Sequence, residues 1–226
     1  MAKKKDVTIW YLEWNKYLLI AFPICVLLDI AGRLLTQEVL HAPLWLDTFG
    51  TFIGAIIGGP VYGALVGIIF QLTMIYQEGF VAFVLYGLCT AASACVFGIL
   101  FRTGFVLSVK KAVLSGIFLS LFITMVQAPI TLALTGGHCE SNILAESIYM
   151  TLLNWKWYTP AAVIASRFIG ELIDKVIVVM CVFFLSNGLM KYFDRYFHTL
   201  HMLKITEIVH EEELAENQAE KVGETK

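Results

Sequence analysis

Apolar positions run almost unbroken through six stretches, about 16 to 36, 44 to 58, 60 to 77, 80 to 101, 109 to 135 and 160 to 187, with most charged residues gathered between them. A hydrocarbon core of about 30 Å needs about 20 residues of helix. The pattern therefore predicts an all-α protein, an integral membrane six-helix bundle. The second and third runs are short and meet at Gly58-Gly59-Pro60. A proline behind two glycines breaks a helix, so these runs are expected to form a tight helical hairpin. Beyond the last run, GLMKYFDRYFHTLHMLK sets Leu189, Phe193, Tyr196, Phe197, Leu200 and Leu203 at helical spacing with Lys191, Asp194 and Arg195 between them. That spacing predicts an amphipathic C-terminal helix on the membrane surface. The chain divides into a six-span membrane domain (1–190), an interfacial helix (191–204) and an acidic tail (205–226) expected to be disordered.

Composition agrees with this reading. Of 226 residues, 58% are hydrophobic and 15% charged, and the mean hydropathy is +0.76, whereas a soluble domain carries about 25% charged residues. The N-terminus is basic, but the apolar run after it contains Asp29 and Arg33 and no small-x-small cleavage site, so it reads as a retained span. Lys3, Lys4, Lys5, Lys16, Arg102, Lys110, Lys111, Lys191, Arg195 and Lys204 fall on one side of a six-span topology. By the positive-inside rule both termini are expected in the cytoplasm of a multi-pass cell-membrane protein. The five cysteines are scattered and form no disulfide framework. His138, Cys139 and Glu140 adjoin, but without a fourth ligand at zinc-site spacing no metal is expected.

Ionisable groups inside spans are costly and face a protein interior, a cavity or each other. Asp29 and Arg33, four apart, are expected to pair on one face; Arg167, Glu171 and Lys175 form a ladder in the last span, with Asp174 beside it. Mutual satisfaction that pins the first and last spans together accounts for Asp174 and Lys175. Arg167 and Glu171, nearer the outer end, are candidates to meet a polar ligand, as are Asp47 and Glu78. The outward connection 136–159 carries Tyr149, Trp155, Trp157 and Tyr158. They form either an aromatic belt at the interface or a cover over an outward pocket.

No GxxxxGK[ST], HExxH or GxSxG sequence is present, and all five histidines lie outside the apolar runs. Ser166 has no histidine near it in the membrane, so no catalytic residue and no enzyme activity is expected. A proton path would need titratable groups down to the inner face, and the second to fifth runs offer almost none. What is left is a binding unit that borrows its energy from a partner.

The stretch LDTFGTFIGAIIGGPVYGALVG, residues 46 to 67, resembles the second and third spans of substrate-binding (S) components of energy-coupling factor (ECF) transporters, and GELIDK in the last run is similar to theirs. The resemblance implies that 1–190 is a substrate-binding domain for a vitamin or related micronutrient. Its implied partners are a membrane coupling protein, two cytosolic ATPase subunits and the lipid bilayer; no nucleic acid and no cofactor are expected. Members of the family often contact the coupling protein through Ala-xxx-Ala in the first span. The nearest match here is Ala21-xxx-Cys25, so those two residues are the expected docking contact. The pocket itself is read from outward location and chemistry: Asp47, Glu78, Arg167 and Glu171 as polar groups, with Trp45, Tyr86, Tyr149, Trp155, Trp157 and Tyr158 as flat surfaces. Pyridoxine, thiamine, riboflavin, a pterin, a deazaguanine and haem all suit such a pocket. A structural scaffold of the cell envelope, recruiting partners through residues 188–226, is the alternative.

Overall fold

The computed structural model describes residues 15–40, 42, 44–75, 79–106, 108–138 and 142–193. These are all-helical: α1 (Lys16–Leu34), α2 (Phe49–Ile57), α3 (Pro60–Thr73), α4 (Phe80–Arg102), α5 (Val109–Thr135), α6 (Ile143–Asn154) and α7 (Thr159–Phe193). Three stretches, α1 with its continuation to Val39, α4 and α5, are long and apolar enough to cross a membrane. Their outward faces are apolar, with Leu19, Ile20, Ile24 and Leu27 on α1 and Leu114, Phe118 and Met125 on α5 all exposed. Asp29, Ser93, Thr124 and Glu171 are buried instead. An exterior more apolar than part of the interior suits a protein solvated by lipid.

The hairpin expected at Gly58-Gly59-Pro60 forms. Gly59 takes φ 98°, a left-handed value open to glycine, and Pro60 opens α3 at its first turn, where a missing N–H costs nothing. The two helices run antiparallel and almost touch. A Cβ on Gly63 would lie 2.6 Å from the Ala55 Cβ and 2.9 Å from its backbone nitrogen, closer than real side chains come. α3 continues the layer onto α4, where Gly98 packs on Pro60 and Gly67 on Thr90. Phe52 of α2 stacks on Phe97 of α4 with ring centroids 4.3 Å apart. α5 lies along α7, Gly116 against the Val176 backbone. Small residues thus let helices approach where no hydrophobic effect drives them together.

Seven α-helices occur among the described residues, one more than the six-helix reading. The addition is α6, inside the stretch taken for an outward connection. Asn142 caps it by accepting from the Ala145 N–H at 3.0 Å, and Ala145, Tyr149 and Leu152 turn one buried face toward α5 and α7. The amphipathic helix expected over 191–204 begins within α7, which runs on to Phe193. Its residues from 194 onward, and the tail 205–226, lie outside the described residues.

Asp29 does not serve Arg33 as the spacing suggested. Its carboxylate accepts from the Gly50 N–H at 2.6 Å, the Thr51 N–H at 3.0 Å and the Thr51 hydroxyl at 2.6 Å. α2 has no capping side chain of its own, and Asp29 satisfies its first-turn N–H groups from across the interface. Gly50 is required there, because a Cβ would collide with the Cys25 carbonyl. The charges of α7 likewise do not reach α1 directly. Asp174 Oδ1 accepts from the Trp45 and Leu46 N–H groups at 3.1 and 2.9 Å, and Lys175 Nζ donates to Thr48 at 3.2 Å and Asp174 Oδ2 at 2.7 Å. The bundle is held by carboxylates gripping the segment 45–51, not by pairing between its first and last long helices.

Candidate functional site

Segment 44–48 enters the bundle as irregular chain before α2 begins, so it has no helical ladder to satisfy its backbone groups. Those around Trp45 are met from other elements. Besides Asp174, the Thr36 hydroxyl lies 3.1 Å from the Trp45 carbonyl. Thr36 sits in a π-helical turn, Leu35–Val39, closed by Leu40 N–H to Leu35 O at 2.9 Å. Leu46 adopts φ 45°, and its carbonyl packs where Gly32 leaves room. The result is a rigid strap across one end of the bundle that presents Trp45, Asp47 and Thr48 inward.

Below the strap is a cavity of about 720 Å³, within the usual size for a small-molecule site. The strap, α3, α4, α5 and α7 build its wall, all at the end where α1 finishes and α4 starts. Arg167 and Glu171 come from successive turns of α7, Tyr86 and Thr90 from α4, Gln127 from α5 and Gln71 from α3. Phe80, Val81, Leu134, Thr135 and His138 also line it, and all five are exposed, which makes them its rim.

Inside, the polar groups are only partly satisfied. Arg167 donates to the Thr131 hydroxyl at 2.6 Å, and its guanidinium carbon lies 5.7 Å from the Trp45 ring centroid, a cation–π contact. Its Nε has no hydrogen-bond partner within the protein. Glu171 is 2% exposed, yet its Oε2 accepts no hydrogen bond; the nearest cation, Lys175 Nζ, is 3.6 Å away. Gln127 Oε1 is also buried without a partner. Buried polar atoms are nearly always paired with protein or water, and these three gather around one cavity.

The sequence-predicted residues divide. Asp47, Tyr86, Arg167, Glu171 and Trp45 line the cavity together. Tyr149 does not: it is buried under α7 with its hydroxyl on the Gly136 carbonyl at 2.9 Å and its ring edge-on to His138. It supports the rim from behind. Trp155 and Trp157 sit at the far end of α6, 70% and 48% exposed, and with Tyr158 they point away from the cavity lining. An aromatic fringe, not a cover, is what these three form. Glu78 lies outside the described residues. Of the proposed docking pair, Ala21 is half-buried and packs on the core, and Cys25 is 2% exposed beneath Gly50, turned into the bundle. The small-residue contact at Cys25 is used within the chain itself. Gln71, Thr90 and Gln127 escaped the sequence reading because only charged and aromatic residues were weighed; two glutamines inside apolar runs were the missed signal.

No protein-family model, curated protein or solved structure matches this chain.

Proposed function

We propose that this chain is a membrane-embedded substrate-binding subunit, an S component of an ECF-type importer of a vitamin or related micronutrient, energised by a separate coupling protein and ATPase pair. Both termini face the cytoplasm in this reading, six of the helices span, and α6 lies over the outer end. The observation that carries it is the cavity under the strap, around which Arg167, Glu171 and Gln127 each keep a buried polar atom without a hydrogen-bond partner. A structural scaffold gains nothing from such a site, since each unmet buried group costs about 1–3 kcal/mol. A ligand that completes them recovers that cost on binding. The position of the cavity fits capture from outside, because the wall residues gather at the end opposite the start of α1 at Lys16. The glycine-rich hairpin, which lets α2 and α3 close behind the site, supplies the family resemblance.

The test is mass spectrometry of the detergent-purified protein, together with thermal unfolding against a vitamin panel and copurification from the native membrane. A bound small molecule displaced by Arg167→Ala, and an ATPase pair recovered with the chain, are expected. A protein that carries no ligand, responds to none, and copurifies with cell-shape or division factors would overturn the proposal.

A further inference from the structure

Resting on that binding reading, we infer that the cavity recognises a neutral planar heterocycle bearing two adjacent N–H donors beside a carbonyl, the edge of a 2-amino-4-oxopyrimidine ring as in guanine-like and pterin-like compounds. The wall asks for this pattern. Glu171 Oε2 and Gln127 Oε1 are oxygen acceptors to which no protein group donates a hydrogen bond, and Arg167 Nε is a donor without an acceptor. A carboxylate is the natural partner of two parallel N–H groups, the fork geometry by which it also takes an arginine. One turn away on the same face, Arg167 is placed to donate to an acceptor next to that pair.

Charge narrows the choice. Three cations, Arg33, Arg167 and Lys175, and two anions, Asp47 and Glu171, line the cavity, and Asp174 bound to Lys175 beneath it supplies the third negative charge. The wall is therefore close to neutral, so neither a strongly anionic nor a cationic ligand is matched. An amidinium or guanidinium would satisfy Glu171 but would meet Lys175, whose Nζ lies 3.6 Å from that carboxylate. A neutral ring with the same pair of N–H groups satisfies the acceptors without that repulsion. Trp45, Tyr86 and Phe80 give the flat walls such a ring packs against. The cavity of about 720 Å³ also exceeds a bare bicycle, leaving room toward the rim for a substituent.

The experiment compares ligands on the unaltered protein. Thermal unfolding and calorimetric titration in detergent would use 7-deazaguanine and pterin against 7-deazahypoxanthine, which lacks only the 2-amino group, with thiamine, pyridoxine and riboflavin alongside. The first two should bind and raise the melting temperature, and loss of the amino group should weaken binding about tenfold or more. In Glu171→Gln that preference should collapse toward unity, with 7-deazahypoxanthine affected less than 7-deazaguanine. If 7-deazahypoxanthine binds as tightly as 7-deazaguanine, the inference is wrong. Binding of thiamine, pyridoxine or riboflavin alone also overturns it while leaving the binding-subunit reading intact. Silence from every compound, with no copurifying small molecule, overturns both.

Discussion

Replacing Asp29 with alanine tests the central claim about how the site is held. The carboxylate is fully buried and accepts from two backbone N–H groups and one hydroxyl at the start of α2. Loss of a helix cap costs about 1–2 kcal/mol, and each buried donor left unmet costs about 1–3 kcal/mol. These contributions overlap, because the cap is made of the same N–H groups, so Asp29→Ala should destabilise by about 3–5 kcal/mol. Asp29→Asn keeps the volume and one acceptor and should lose about half as much. Unfolding in mixed micelles, followed by tryptophan fluorescence, measures both. Double-mutant cycles then assign the partner: Asp29→Ala with Thr51→Val should show coupling of about 1 kcal/mol or more, and with Arg33→Ala less than that. An Asp29→Ala protein as stable as the parent would refute the reasoning, as would coupling to Arg33 larger than coupling to Thr51.

Gly63→Ala should destabilise by about 1–3 kcal/mol through overpacking against Ala55. Gly188→Ala, a helical glycine with nothing within 4 Å of its Cβ position, should be neutral or stabilising in the same unfolding assay. Trp45→Ala should weaken binding of whatever ligand copurifies at least about tenfold, the size of a lost aromatic contact with its cation. Trp155→Ala and Trp157→Ala should leave calorimetric affinity unchanged, since neither residue reaches the cavity.

Much of the helical layout was legible in the sequence. The Gly58-Gly59-Pro60 break and the apolar runs follow from local rules, a left-handed glycine and a proline at a first helical position. α6 was also written there, in Asn142 as a cap, Glu146 in the first turn and the spacing of Ala145, Tyr149 and Leu152. It was missed because its aromatic content suggested an interface. The pairing of Asp174 with Lys175 was legible and forms at 2.7 Å, but the backbone partners of Asp29 and Asp174 were not. Both carboxylates also accept from backbone N–H groups at Gly50, Thr51, Trp45 and Leu46, far away in sequence and visible only after folding. Arg167, Glu171 and Asp47 were found because charge in an apolar run is conspicuous. The neutral glutamines beside them carry no such flag.

The strap at 44–48 has a mechanical consequence. Its backbone is fastened to α1 through Thr36 and to α7 through Asp174, so those two helices cannot separate at this end without breaking hydrogen bonds on both sides of Trp45. One flank of the cavity is thereby clamped shut. The opposite flank, between the start of α4 and the end of α5, bears the exposed Phe80, Val81, Leu134 and His138, with the left-handed glycines 79, 136 and 137 at its corners. The two flanks therefore differ in how they are tied: the first is cross-linked through one stretch of backbone, while this one is bordered by exposed side chains and left-handed glycines.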